Sequence, residues 1–456
     1  MSLTKDFSAA AETKSADREH RRKLLFNIGK YNATVEKGVL QYNDLEHARK
    51  KAKNIKWRTI AHLDQFLVEF ETRFQKNGGK VIWAEDVEQA QQAIHEIIKN
   101  KNAKSVVKAK SMATEEIELN EFLAHNKIAV HETDLGEYIQ QLAGEKPYHI
   151  VTPAMHKSKE DVAKLFNEKL GSPINSTPQE MTMIARKNLR EKYLTSEIGI
   201  TGANFIIADI GGIAVTENEG NARLTMTFPK THIVIVGIEK MIPSINHLGL
   251  FWPLLATFGT GQQVTVYNTI ITGPRRENET DGPEEMYVIL LDNGRTNLIN
   301  QPEQRESLYC IRCGACLNAC PVYKNIGGHS YATTYSGPIG SVITPHLRGM
   351  KDFKHLSFAS SLCGNCTEVC PMHINLHNLL LYNRRDSVQQ NLTTRSEKIT
   401  YYFWKKGMLS RKLMNRASGG MKNFMVRTLF SNSWGKHREL PKFPKKSFNE
   451  LWREKN

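Results

Sequence analysis

The sequence predicts an α/β domain built on a mostly parallel sheet, followed by a smaller helical, cysteine-rich domain. Three observations predict it. Strand-like and helical stretches alternate from Lys80 to Leu170 at the pace of β-α-β units. All 7 cysteines fall in two runs, Cys310–Cys320 and Cys363–Cys370. The stretch between those runs, Val322 to Leu362, is long, carries Gly-Gly and Gly-Pro turns, and lacks the closely spaced short strands of a small β-rich domain. The expected division is an N-terminal arm (1–40), an α/β domain (41–300), a helical cysteine domain (301–390) and a basic C-terminal extension (391–456).

Residues 1–40 are polar and charged with few apolar anchors, and read as a loose arm or irregular docking segment. From Asp44 to Gln75, Leu45, Ala48, Ala52, Ile55, Ile60, Leu63, Leu67 and Phe70 recur at helical intervals, and Gly78-Gly79 stops the run. Strands are expected at Lys80–Ala84, Ser105–Lys108, Ile128–Glu132 and His149–Thr152. Helices are expected at Val87–Lys99, Thr114–His125, Leu135–Ala143 and Lys159–Leu170. Thr177-Pro178-Gln179-Glu180 is a helix start: Thr177 can cap, Pro178 fits the first turn, and Glu180 can close a capping box. That helix should reach Thr195. Shorter strands follow at Phe205–Ala208, Gly212–Val215, Ile233–Val236, Gln263–Tyr267 and Met286–Leu291, with Asn218-Glu219-Gly220-Asn221 as a hairpin turn. A helix is expected around Leu376–Arg385. The two cysteine runs are the one internal repeat.

A chain of 456 residues with 40% hydrophobic and 24% charged residues is ordinary for a globular protein of two or three domains. The N-terminus shows no apolar signal region, and the longest apolar stretch, Leu248–Phe258, contains Pro253 and is too short to span a bilayer. The expected compartment is therefore a reducing cytoplasm. The net charge of +15 raises nucleic acid as a partner, but no nucleic-acid motif accompanies it. Much of the excess lies after Tyr401, beside Trp404, Phe424, Phe430 and Trp434. Such a tail could touch an acidic partner protein or, peripherally, the inner face of a membrane; that, or a solvated tail that packs a few aromatics on its own domain, is a better reading than nucleic acid.

Cys310-Ile-Arg-Cys313-Gly-Ala-Cys316-Leu-Asn-Ala-Cys320-Pro321 has the C-x2-C-x2-C-x3-C-P spacing of ferredoxin loops that wrap an iron–sulfur cluster. Iron in a cluster takes soft, anionic thiolates. In two-cluster ferredoxins the cysteine before proline crosses to the other cluster. By that rule Cys310, Cys313, Cys316 and Cys370 hold cluster one, and Cys320, Cys363 and Cys366 hold cluster two. Cluster two is then one thiolate short. Ser360 stands where a fourth would come, and His355, His373 or solvent are further candidates. Three thiolates suit a 3Fe-4S cluster, or a 4Fe-4S cluster with one non-cysteine ligand. Zinc also uses C-x2-C pairs, but structural zinc closes with four ligands and rarely shows this run. The odd cysteine number argues against a disulfide framework.

These residues carry a resemblance to the lactate utilization iron–sulfur protein B family. Its most specific stretches run from Cys310 to Pro345, with His329-Ser-Tyr, Ser336-Gly-Pro-Ile-Gly and Thr344-Pro345, and from Ser360 to Pro371. Upstream, Lys110-Ser-Met-Ala-Thr-Glu-Glu-Ile, Glu132-Thr-Asp-Leu-Gly-Glu-Tyr, Ala208-Asp-Ile-Gly-Gly-Ile, Thr272-Gly-Pro-Arg and Asp281-Gly-Pro-Glu-Glu resemble a LUD domain. The resemblance implies an α/β LUD domain similar to the NagB/RpiA/CoA-transferase fold, then an α-helical ferredoxin domain with two 4Fe-4S clusters on the cysteines just assigned. It implies a redox subunit in the oxidation of L-lactate to pyruvate, with a cysteine-rich subunit and a smaller LUD-domain subunit as partners. Another 2-hydroxy acid or glycerol phosphate as substrate, a transferase or isomerase with structural clusters, and an oxidant-sensing regulator are the rival readings.

Other candidate sites are weaker. Asp209-Ile-Gly-Gly212 and Gly259-Thr-Gly261 could cradle an anion, though glycine pairs near strands are more often turns. Lys108, Lys110, Arg275 and Arg276 could neutralise a carboxylate, against the simpler reading of a solvated basic edge. Glu115-Glu116 and Glu284-Glu285 are adjacent in sequence, so neither pair should face itself for acid–base work. His329, His346, His355, His373 and His377 crowd the cluster region and could donate hydrogen bonds to sulfur, with a loop or core role as the default. No catalytic residue is assigned.

Overall fold

The computed structural model describes residues 3–434 and 439–455; the side chains of 414–416, 430 and 432–434 lie outside it, so Phe430 and Trp434 fall outside the described side chains. Its strands are β1 (Lys80–Ala84), β2 (Ser105–Lys108), β3 (Ala129–Glu132), β4 (Ile198–Thr201), β5 (Phe205–Ile207), β6 (Gly212–Glu217), β7 (Thr231–Gly237), β8 (Met241–Ile242), β9 (Tyr267–Ile271) and β10 (Glu285–Leu291). Six form one sheet in the order β1-β10-β7-β4-β2-β3, with every pairing parallel. A smaller mixed sheet runs β8-β5-β6-β9.

Strand β7 shows why the large sheet forms. All seven of its residues are buried, as expected for a parallel strand covered on both faces. Ile233 and Ile235 pack with Ile94, Ile98, Leu123 and Ile289 on one face, while Val234 and Val236 pack with Phe205, Phe251 and Leu254 on the other. This second cluster runs on without a break into Leu317, Tyr323, Ile339 and Leu379, so the sheet domain and the cysteine region share one core. Residues up to Asp386 form one unit and those from Ser387 another.

The order of the sheet creates a crevice. The chain leaves β2 toward β3 on one side and leaves β4 toward β7 on the other, although β2 and β4 are neighbours. Such a reversal leaves a gap outside the carboxyl ends of the two strands, where open α/β sheets bind ligands.

Most expected elements are present, including the Thr177 capping box on the Pro178–Thr195 helix. Five expectations need correction. The arm is two helices, Leu3–Ala16 and Arg18–Gly38, not irregular chain. His20, Leu24 and Ile28 form a narrow buried stripe at four-residue spacing, and Arg21 and Lys23 bond to Asn325 and Asp161. His149–Thr152 is a turn rather than a strand, because His149 Nδ1 accepts hydrogen bonds from the Val151 and Thr152 amides. Asn218–Asn221 is not a hairpin: β6 pairs with β5 and β9, and the turn opens the Asn221–Thr227 helix. The strand placed at Gln263–Tyr267 begins only at Tyr267. The Thr114–His125 helix is split at Glu118, whose φ is 50°.

After Gln301 the chain is helical. Short helices Ala315–Ala319, Pro321–Ile326 and Asn365–Glu368 carry or follow cysteines, and Gly337–Leu347, Met350–Phe358 and Leu376–Gln389 pack around them. The last unit carries sixteen Lys or Arg against four Glu. Its Arg395–Met408 helix exposes Tyr401, Tyr402, Phe403 and Trp404. Among the described residues no helix is long and apolar enough to cross a membrane.

Candidate functional site

The two cysteine runs repeat at the level of backbone. In each, a non-glycine residue with positive φ precedes the second or first ligand of a tight loop, and a glycine with positive φ follows it: Arg312 (62°) and Gly314 (82°) around Cys313, Leu362 (53°) and Gly364 (84°) around Cys363. These left-handed steps coil the loop, and the next cysteine, Cys316 or Cys366, then rides on a short helix. The two short helices pack on each other.

That packing sorts the thiols across the runs. Cys310, Cys313, Cys316 and Cys370 line one small cavity, walled by Ile150, Ile311, Ile339, Met372 and Ile374. Cys320, Cys363 and Cys366 neighbour one another instead, close enough for their charges to interact. Cys363 is exposed, whereas Cys320 and Cys366 are buried. Burial pushes the Cys366 and Cys370 thiols up, to about 11 and about 12, so each holds its proton until a bound cation draws it off.

The spacing of the thiols decides between metal types. One tetrahedral zinc, at about 2.3 Å from each sulfur, would gather sulfurs to roughly 3.8 Å from one another. Among the described residues the one set of three or more potential ligand side chains with atoms all within 4.8 Å is Glu145, His156 and His329. No three thiols come that close. Four of them line an apolar cavity, and that donor set of soft thiols fits a cluster.

The helix Leu45–Ala61 clamps the second run in place. Arg49 Nη2 donates to the carbonyls of Glu368 and Cys370, each at 2.7 Å, and Arg49 Nε donates to Cys370 at 3.2 Å. Lys53 donates to the His373 carbonyl at 2.8 Å and pairs with Glu306. The sheet domain thereby holds the loop that brings Cys370 to the first run.

A larger pocket of about 370 Å³ lies against the other side of that run. It occupies the crevice at the ends of β2, β4 and β7, and it shares Ile150 and Arg312 with the wall of the four-cysteine cavity. Beneath it lies a buried ion network. Arg295 grips Glu116 through two hydrogen bonds of 2.9 and 2.8 Å and reaches Glu239 at 2.5 Å. Arg312 adds a contact to Glu239 at 3.4 Å, and Tyr335 donates to Glu116 at 2.7 Å. Burial alone would raise the Glu239 carboxyl, but Arg295 and Arg312 hold it down to about 2. Burial, then the Arg312 charge, lowers the Lys240 amine to about 8. Burial and the neighbouring Asp134 charge raise Glu219, on the far wall, to about 7.

Comparison with known proteins decides the family. A LUD domain model matches residues 67–291 and a 4Fe-4S dicluster domain model matches residues 306–374. Lactate utilization protein B of Shouchella clausii is 45% identical over 77% of this chain and 74% of its own length. Lactate utilization protein B of Bacillus cereus is 41% identical over 92% of this chain and 90% of its own. The chain belongs to the lactate utilization protein B family. A solved DUF162 family protein from Deinococcus radiodurans aligns with 50% of the chain and 98% of its own at 13% identity and a TM-score of 0.29. The α/β assignment here rests on the strand order instead.

Lys108 is wholly buried among Glu132 at 2.9 Å, Glu115 at 3.1 Å and Glu137 at 3.8 Å, and so receives no outside anion. Arg275 pairs with Glu284 at the surface, and Arg276 is exposed. Lys110 does reach the large pocket, where its amine donates to the Val151 carbonyl at 2.8 Å. Glu115 and Glu116 turn to different partners, Lys108 and Arg295. Asp209–Gly212 is a turn whose Asp209 carboxylate accepts from the Ile245 amide. Gly259–Gly261 ends a helix, presenting carbonyls rather than the N–H groups an anion needs. Ser360 Oγ accepts from the Leu362 amide at 3.1 Å. The histidines have local partners: His329 the Lys146 carbonyl, His346 Asn383, His377 Thr367 and His373 Glu46, while His355 packs between Phe7 and Phe353. Sequence reasoning missed Lys240, Arg295 and Arg312. Arg312 sits inside the first run, and Lys240 follows a fully buried parallel strand, which is the signal that could have found it.

Proposed function

We propose that the chain is the iron–sulfur electron-transfer subunit of a system that oxidises L-lactate to pyruvate and supports growth on lactate. It would carry two 4Fe-4S clusters, with Cys310, Cys313, Cys316 and Cys370 as ligands of one and Cys320, Cys363 and Cys366 as ligands of the other, and act beside a cysteine-rich subunit and a smaller LUD-domain subunit. The observation that supports this most is the four-cysteine cavity, drawn from both runs. The names of the relatives supply lactate.

When bound, clusters take up and release single electrons. The chain's own residues fix where this happens. Ile311, Ile339 and Ile374 exclude water from the first site. Arg49 and Lys53 hold the second run's carbonyls and so keep Cys370 within reach of the first. The exposure of Cys363 supports a second site nearer the surface than the first.

Electron paramagnetic resonance on anaerobically purified protein, as isolated and after dithionite, tests this reading. The expected result is a reduced 4Fe-4S signal, with the second site seen as an interacting 4Fe-4S signal or an oxidised 3Fe-4S signal. Lactate should give the same reduction when the partner subunits are present. Silence in both states, with zinc but no iron by metal analysis, would overturn it.

The basic last unit supports peripheral contact with an anionic membrane surface. Its exposed aromatics and lysines suit the headgroup boundary. The protein is expected to float with vesicles containing anionic lipid, to stay behind with neutral vesicles, and to lose flotation when residues 391–456 are removed. Equal recovery with both vesicle types would remove the membrane from the proposal.

A further inference from the structure

The large pocket carries hydrogen-bonding groups that the fold has left unspent, and they share one sign. Its acids are committed. Glu239 is held by Arg295 and Arg312. Glu217 accepts from the Ala222 and Arg223 amides, Glu219 accepts from the Leu135 amide, and Asp134 accepts from the Glu137 amide and faces Lys110 at 3.9 Å. One cation, Lys240, is uncommitted, and a second, Arg312, lies over the Tyr335 ring and is committed to Glu239 through one nitrogen only. Lys240 makes no hydrogen bond or ion pair among the described residues, although it lines the pocket. Arg312 is 9% exposed and its Nη1 is buried with no hydrogen-bond partner, while its Nη2 reaches Glu239. A buried guanidinium nitrogen left without an acceptor is costly, and an arriving anion removes that cost.

The position agrees with the charge. The pocket lies outside the carboxyl ends of β2 and β4, at the point where the sheet order reverses. Its volume of about 370 Å³ is that of an ordinary ligand site. We infer that this crevice is the chain's own binding site for an organic acid, with the carboxylate received by Lys240 and Arg312 at the end that adjoins the four-cysteine cavity. The ligand's anionic end then sits one side chain, Arg312, away from the first cysteine site. A LUD domain in this chain is thus a substrate or product holder as well as a scaffold.

Pyruvate is the probe, a choice that rests on the proposed lactate oxidation. Calorimetry on anaerobically purified protein with its iron in place measures binding, and resonance spectra of the same samples report the clusters. Wild-type protein is expected to bind pyruvate, and inorganic phosphate at equal concentration to compete poorly. Lys240→Met should weaken pyruvate binding about tenfold or more, the scale of a lost charge-assisted hydrogen bond, and Lys240→Arg should recover most of it. Pyruvate should also shift the signal of the first cluster in the wild type and not in Lys240→Met. Absence of binding to wild-type protein, unchanged binding in Lys240→Met with iron content intact, or equal binding of phosphate would each overturn the inference. None of these touches the electron-transfer reading, which falls only if iron is absent.

Discussion

On the proposed ligand assignment, Cys370→Ala is expected to remove the cluster of the first run while leaving the cluster of its own run in place. Cys370 lies four residues from Cys366 in sequence, yet it lines the cavity with Cys310, Cys313 and Cys316. Iron content should fall to about half, since one of the two proposed clusters is lost. The resonance spectrum should match that of Cys316→Ala, and both should differ from that of Cys363→Ala. Lactate-driven reduction in the assembled system should fall below detection, because the first site adjoins the pocket. The Arg49 clamp bonds to the backbone carbonyls of Glu368 and Cys370, so it survives the substitution and the loop keeps its place. A Cys370→Ala spectrum that matched Cys363→Ala would mean that ligands group by run, and the crossed assignment would be wrong. Loss of both clusters with retained melting behaviour would mean that the two sites assemble together.

The cysteine chemistry was legible in the sequence because cluster spacing is local and unusual: a C-x2-C-x2-C-x3-C-P run has few other uses. The parallel sheet was legible for a related reason. Strand-like and helical stretches alternate from Lys80 to Leu170 at the pace of β-α-β units, and the apolar run Ile233–Val236 marks the buried centre of β7. The N-terminal helices were not legible, because the buried face of Arg18–Gly38 is narrow, with only Leu24 and Ile28 as large apolar members, and its polar partners, such as Tyr148, Asp161 and Asn325, lie far along the chain. The pocket was hidden by the same distance. Lys240, Arg295 and Arg312 stand after β7, after β10 and inside a cysteine loop, and only the sheet order brings them together. Lys108 looked like an anion receptor because sequence shows its charge but not the three glutamates that surround it. Turn residues misled at Asn218–Asn221, where the same composition that closes a hairpin also opens a helix.

Arg295→Met is expected to destabilise the main unit by about 3–5 kcal/mol, the range for breaking a buried ion pair from one side. Arg295, Glu116 and Glu239 are each buried, so the substitution takes from Glu116 its ion-pair partner and leaves Glu239 with Arg312 alone, at 3.4 Å. Arg295→Lys should recover little, because an ammonium cannot reproduce the two parallel bonds to Glu116 and the third to Glu239. The pH dependence gives the sign. Glu239 is held down to about 2 in the folded protein, against about 4.3 for an unfolded glutamate, so its ionised form adds stability above the unfolded value. That stability is lost as pH falls from about 4.3 toward about 2. Glu116 is lowered in the same direction by Arg295. In Arg295→Met burial acts with less opposition and the carboxyl groups favour their protonated form. The gap between wild type and variant should therefore be widest near neutrality and close as pH drops through that window. Thermal melts followed by circular dichroism across this range would measure it. A neutral-pH difference within about 0.5 kcal/mol, the size of an ordinary surface substitution, would show that the network contributes no net stability. Because Arg312 lies between Cys310 and Cys313 and leans on Glu239, the variant should also release iron faster than wild type on exposure to a chelator, which links the buried charges of the sheet domain to the first cysteine loop.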